Sequence, residues 1–141
     1  MTNLSLCMMV KNEKSSIKET IESVRPFINR AVFLDTGSDD GTQAEIQKVC
    51  KENDLPLVLV EEPFVDFEVS RNRLLDIASK DDQGFLLLLD ADDQLVGGEK
   101  LVEHLQKIDQ HPHTGLFLVS VAMGTSVWDS PRVLYSRMRH I

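Results

Sequence analysis

Phe85-Leu86-Leu87-Leu88-Leu89 runs straight into Asp90-Ala91-Asp92-Asp93, three carboxylates within four positions. Negative charges this close repel one another unless water, a proton or a cation shares the site. Five large apolar residues without alternation suit a strand buried on both faces, as in a parallel sheet. In open α/β sheets the ligand crevice lies beyond the carboxyl ends of the strands. A strand ending in Asp-x-Asp therefore reads either as one that delivers a divalent metal to that crevice or as a core strand followed by a solvated turn. Two other apolar runs end in polar residues in the same way: residues 4–10 stop at Lys11-Asn12-Glu13, and residues 31–35 end in Asp35.

The elements that must position these residues follow from the apolar pattern. Residues 4–10, 31–35, 57–60 and 85–89 read as strands. Helices are expected to open at Ser16-Ile-Lys-Glu19 and Thr42-Gln-Ala-Glu45, which both have the spacing of a reciprocal capping box. Further helices are expected over 68–79 and 99–109, and two late strands over 116–122 and 132–138, joined by a connection over 123–131. Alternating strands and helices argue for right-handed crossovers. The expected fold is therefore an α/β three-layer sandwich with a mostly parallel central sheet, plus a late antiparallel strand pair. Parallel strands set their carboxyl ends side by side, so Lys11 to Glu13, Asp35 and Asp90 to Asp93 should converge on one rim.

Composition narrows the classes. A chain of 141 residues suits one domain, 1–141, with its own core. A net charge of −8 argues against a nucleic-acid surface. Cys7 and Cys50 lack metal-ligand spacing and read as buried thiols, which sets a cytoplasmic location as the expectation. Met1-Thr-Asn-Leu lacks the basic region of a signal peptide, so none is expected, and no apolar run approaches the roughly 20 residues of a membrane helix. The glycine patterns of dinucleotide and phosphate loops are missing, and Gly41 falls one place late for a calcium loop. His104, His111 and His113 have no cysteine partners and read as surface residues.

Taken together, the segments resemble family 2 glycosyltransferases, in the branch that opens with a strand ending in Val-Lys-Asn-Glu. The matching segments are residues 6–13, 33–42 with Asp35-Thr36-Gly37-Ser38, 67–72 with Arg71-Asn72, 88–93 with Asp90-Ala91-Asp92, and 131–135. The resemblance implies a Rossmann-like fold of the glycosyltransferase-A type. It also implies transfer of a sugar from a nucleotide diphosphate donor with inversion at the anomeric carbon, UDP-sugars being favoured, with Mn2+ or Mg2+ as cofactor. On that resemblance the backbone at Val10 and Lys11 would border the base, with Asn12, Glu13, Thr36 and Ser38 around it. Asp35 would accept from the ring N–H or serve in a helix-capping or turn role. Arg71 would approach the nucleotide or form a surface ion pair, and Asn72 would bind the nucleotide or hold the loop backbone. Asp90 would face the ribose or a metal-bound water, with Ala91 also on the donor side, while Asp92, with Asp90, would ligate the metal; Asp93 would be a further ligand or, as the preferred reading, a turn carboxylate.

Two departures qualify the match. Thr36 stands where many family members carry a second Asp, which weakens inference about the base. An inverting transferase also needs a general base for the acceptor hydroxyl; in the family it comes from the acceptor-binding half, which this chain is expected to lack. Asp129, the acidic residue of the late connection, is a poor substitute. Two alternatives are a catalytically inactive nucleotide- and metal-binding or interaction module and a phosphohydrolase of the haloacid dehalogenase kind. The second normally carries its Asp-x-Asp on the first strand, whereas here it follows the fourth.

Overall fold

The computed structural model describes residues 3–80, 85–89, 98–109, 117–123 and 126–135. Their elements run β1 (Leu4–Val10), α1 (Ile17–Val24), a 3-10 turn (Arg25–Phe27), β2 (Arg30–Asp35), α2 (Thr42–Glu52), β3 (Leu57–Glu61), α3 (Phe67–Ser79), β4 (Phe85–Leu88), α4 (Gly98–Asp109), β5 (Phe117–Met123) and β6 (Ser126–Tyr135). One sheet holds the strands in the order β3-β2-β1-β4-β6-β5. The first four strands are parallel, β1 lying between β2 and β4. β6 joins β4 antiparallel and carries β5 antiparallel on its far side.

Each parallel strand is apolar on both faces because helices cover both. Leu6, Met8, Phe33 and Leu87 pack with Ile17 and Ile21 of α1, Ile46 and Val49 of α2 and Leu105 of α4. On the opposite face, Cys7, Val32, Leu34, Leu86 and Leu88 meet Leu74, Leu75 and Ala78 of α3. This is the expected three-layer α/β sandwich, with α3 alone on its side among the described helices. Burial among these apolar groups raises the thiol pKa of Cys7 to about 12 and that of Cys50 to about 11. Both are free, buried thiols. No helix of the described residues is long and apolar enough to cross a membrane.

Three local expectations are corrected. Ser16 is the N-cap of α1 but makes no side-chain cap bond; its backbone is helical (φ −111°, ψ −19°) rather than extended. Its hydroxyl instead donates back to the Glu13 carbonyl at 3.3 Å and carboxylate at 3.1 Å. Thr42 is already helical, and Gly41, at φ 93°, caps α2. Asp40 takes the work of the box by accepting from the Thr42 amide at 3.0 Å and from its hydroxyl. Finally, residues 126–131 belong to β6 rather than to a connection. Pro131 is tolerated there because the register shifts opposite it, between Phe117 and Leu118, and because β4 pairs only with residues 133–135 of β6.

Helix α4 approaches the 3-10 turn so closely that a Cβ at Gly98 would lie 2.3 Å from Phe27 Cε2. Gly98→Ala must push the half-buried Phe27 ring aside. The expected cost is about 1–3 kcal/mol, read as a lower urea midpoint at unchanged m.

Candidate functional site

The carboxyl rim is built where β1, β2 and β3 end together: Val10 pairs with Asp35, and Asp35 with Glu61. The two loops that leave β1 and β2 are laced to each other by hydrogen bonds. The Val10 carbonyl accepts from the Thr36 amide at 3.0 Å and the Thr36 hydroxyl at 3.2 Å. Asn12 and Ser38 face each other closely: the Asn12 amide donates to Ser38 Oγ at 2.8 Å, and Asn12 Oδ1 accepts from the Asp39 amide at 2.8 Å. This exchange holds Asn12 at φ 55°, a left-handed conformation that Asn tolerates better than most residues. The Glu13 amide donates to Thr42 Oγ1 at 3.0 Å, and the Lys14 amide to Asp40 Oδ2 at 3.3 Å. Accepting from the Thr42 hydroxyl, above all, holds the Asp40 carboxyl below the ordinary Asp range.

Asp35 sits at the centre of this lacing and is fully buried. Its Oδ1 accepts from the Gly37 and Ser38 amides, both at 2.8 Å, across a turn in which Gly37 takes φ 123°. Its backbone carbonyl accepts from the Glu62 amide at 2.9 Å. Oδ2 is buried without a hydrogen-bond partner among the described residues. A buried carboxylate oxygen left unpaired costs stability, so this atom, unpaired among the described residues, is a place where a further hydrogen-bond donor would be favoured.

Of the site residues expected from sequence, Val10, Lys11, Asn12, Glu13, Asp35, Thr36 and Ser38 share this rim. Lys11 is exposed, while Asn12, Glu13 and Ser38 spend the groups named above on holding the loops. Arg71 comes from the other face. Leu34 belongs to the α3 side of the sheet, so Asp35, one residue on, points to the α1 and α2 side. Arg71 lies half-buried on α3 with its guanidinium 6.0 Å from the centre of the Phe67 ring, and Asn72 is exposed. No hydrogen bond joins Arg71 to Asp35, and the two lie on opposite faces of the sheet. Asp90, Ala91, Asp92 and Asp93 lie outside the described residues, as do His111 and His113. Among the described residues no cluster of metal-ligating side chains occurs.

The sequence reading missed four residues: Asp40, Thr42, Glu62 and Arg73. Arg73 Nε donates to both Glu62 carboxylate oxygens, at 2.9 and 3.1 Å. Glu62 directly follows Glu61, the last residue of β3, so the rule that strand ends share a rim contained the signal for Glu62.

With this geometry in hand, the chain matches the family described as Glycosyl transferase family 2 over residues 5–139. A TPR repeat-containing protein of Synechococcus elongatus is 32% identical over 96 residues, which cover 68% of this chain and 22% of that protein. S. aureus TarS 1–349, solved in complex with UDP, superposes with a TM-score of 0.68 at 21% identity, covering 89% of this chain and 37% of that one. The mannosyltransferase PcManGT from Pyrobaculum calidifontis, solved in complex with GDP-Man and Mn2+, superposes with a TM-score of 0.63 at 21% identity, covering 81% and 34% respectively. The chain thus spans about a third of these solved chains and about a fifth of the curated relative.

Proposed function

Because the chain belongs to glycosyl transferase family 2, we propose that it binds a nucleotide-diphosphate sugar, a UDP-sugar, at the rim formed by β1, β2 and their loops, and that it supplies the donor half of an inverting glycosyl transfer. What supports this reading above all is the buried Asp35 Oδ2, which has no hydrogen-bond partner among the described residues. Uracil offers a ring N–H of the right kind to pair with it. Because that oxygen is closed to solvent, the lacing between the two loops must loosen for a base to reach it, and that opening takes up part of the binding energy. Lys11, exposed on the same rim, adds positive charge for a diphosphate in an otherwise acidic chain.

Asp90 and Asp92 are assigned to the divalent metal. Two carboxylates at the end of a buried strand make the hard oxygen donor set that suits Mn2+ or Mg2+. When bound, the ion neutralises charge building on the diphosphate as the sugar departs. The acceptor's general base is not assigned to any residue of this chain. The relatives with solved structures, TarS with UDP and PcManGT with GDP-Man and Mn2+, support a nucleotide donor and a divalent ion.

A ligand that binds only the folded state stabilises it by about 2.7 kcal/mol at one hundred times its Kd. Thermal melts with Mn2+ and UDP are therefore expected to rise, with GDP rising less and inorganic phosphate leaving them unchanged. Asp92→Ala should abolish the metal-dependent part of the UDP shift and leave the unliganded melting temperature in place. An undiminished shift in that variant would remove Asp92 from the metal site. Release of phosphate from a generic phosphomonoester would favour a phosphohydrolase instead. Stabilisation by UDP without turnover of any UDP-sugar would favour a binding module.

A further inference from the structure

The start of α3 stands clear of the core. Phe64, Val65, Phe67 and Val69 are 52%, 69%, 59% and 49% exposed, the four large apolar side chains most open to solvent among the described residues. Ser70 is buried, but apolar burial on this helix begins only at Leu74 and continues through Leu75 and Ala78. The far end is also held by the Arg30 guanidinium, which donates to the Ala78 carbonyl and, through Nε, to Ser5 Oγ at 2.8 Å. Packing therefore secures the second half of α3, while the turns that carry Arg71 depend on polar ties. One tie is local: Asp66 Oδ1 accepts from the Val69 amide at 2.8 Å. The other reaches the sheet, through Arg73 and the Glu62 carboxylate.

We propose that Glu62 is a positioning residue of the donor site. Its amide is bonded to the Asp35 carbonyl and its carboxylate grips Arg73, so it ties the first turns of α3 to the strand end that carries Asp35 and thereby sets the direction in which Arg71, the residue that the family resemblance brings near the nucleotide, is presented. Arg71 and Arg73 project roughly 200° apart on the helix, so holding one in place sets the direction of the other. A displacement of about 1 Å in a positioned group costs up to about 100-fold in function. The pair itself is 49% exposed at Arg73 and 36% at Glu62, and ion pairs so open to solvent contribute little to folding. Its value lies in orientation.

The proposal rests on the donor-site reading, and the test separates the two. UDP affinity in saturating Mn2+ is measured by calorimetry for the wild-type chain, Asp35→Asn, Glu62→Gln, Arg73→Gln, Arg71→Ala, the Glu62→Gln/Arg71→Ala double variant and the Glu62→Arg/Arg73→Glu exchange. Glu62→Gln and Arg73→Gln should each weaken UDP about fivefold or more at an unchanged melting temperature. Arg71→Ala should cost less in the Glu62→Gln background than in the wild type. The charge exchange should recover most of the lost affinity. If both single variants bind UDP within about twofold of wild type, or Arg71→Ala costs the same in both backgrounds, the positioning role is overturned. The donor site still stands in that case, provided Asp35→Asn has lost UDP. If the wild-type chain does not bind UDP, both readings fall.

Discussion

Asp35→Asn is expected to weaken UDP binding about 100-fold, the worth of a hydrogen bond to a charged group together with the penalty of turning a donor toward a donor. The substitution is nearly isosteric. The retained Oδ1 still accepts from the Gly37 and Ser38 amides, so the turn after β2 survives. Only the buried second atom changes, from an acceptor to an NH2 group, and in the unliganded protein each form leaves that atom unpaired. The melting temperature without ligand should therefore move by no more than a few degrees. Base selectivity should shift as well. Cytosine presents a ring acceptor where uracil presents an N–H, so the wild type should prefer UDP to CDP and the variant should narrow that gap. Asp35→Ala differs in kind: it strips the acceptor from two amides and should cost about 1–3 kcal/mol of stability as well as UDP. Titration calorimetry with UDP and CDP in Mn2+, beside melts of the unliganded variants, distinguishes these outcomes. Wild-type UDP affinity in Asp35→Asn would remove the carboxylate from base recognition.

The strands were readable from sequence because burial on both faces leaves no ambiguity of period: β1 spans Leu4–Val10 as expected, and β2 ends at Asp35. Placement of Asp35 beside Val10 then followed from parallel strands alone. The loops were less readable. Ser16 and Thr42 both have the capping-box spacing, yet whether a hydroxyl caps depends on the backbone angles at that residue, which spacing does not encode. Thr42 serves Glu13 and Asp40 instead because Gly41, free to take φ 93°, starts the helix one residue early. Nor does local sequence reveal that Phe64, Val65, Phe67 and Val69 stay exposed, since apolar type implies burial only on average. Arg71 drew attention through the family resemblance, whereas nothing local to α3 marks Arg73, whose partner Glu62 stands eleven positions earlier, just past the end of β3.

Phe33→Ala is the complementary experiment, with a large effect on folding and a small one on recognition. Phe33 is fully buried in β2, opposite Met8 of β1 and Leu59 of β3. It fills the layer beneath α1 and α2. Removing the ring leaves a cavity between a sheet and helices that cannot close over it, a loss of about 3–5 kcal/mol. Against the total stability of about 5–15 kcal/mol typical of a domain, this is severe, and the melting temperature should fall by about 6–15 °C. The ring lies two residues before Asp35 on the same face of the strand, below the rim rather than on it. The surviving folded fraction should therefore bind UDP within a few-fold of wild type, and saturating UDP with Mn2+ should recover part of the lost melting temperature by mass action. Asp35→Asn and Phe33→Ala should thus separate recognition from folding within a single strand. Lost affinity without lost stability in Phe33→Ala would mean that the carboxylate at the end of β2 is oriented by the packing beneath it, and that lacing between the two loops is not enough to hold it in place.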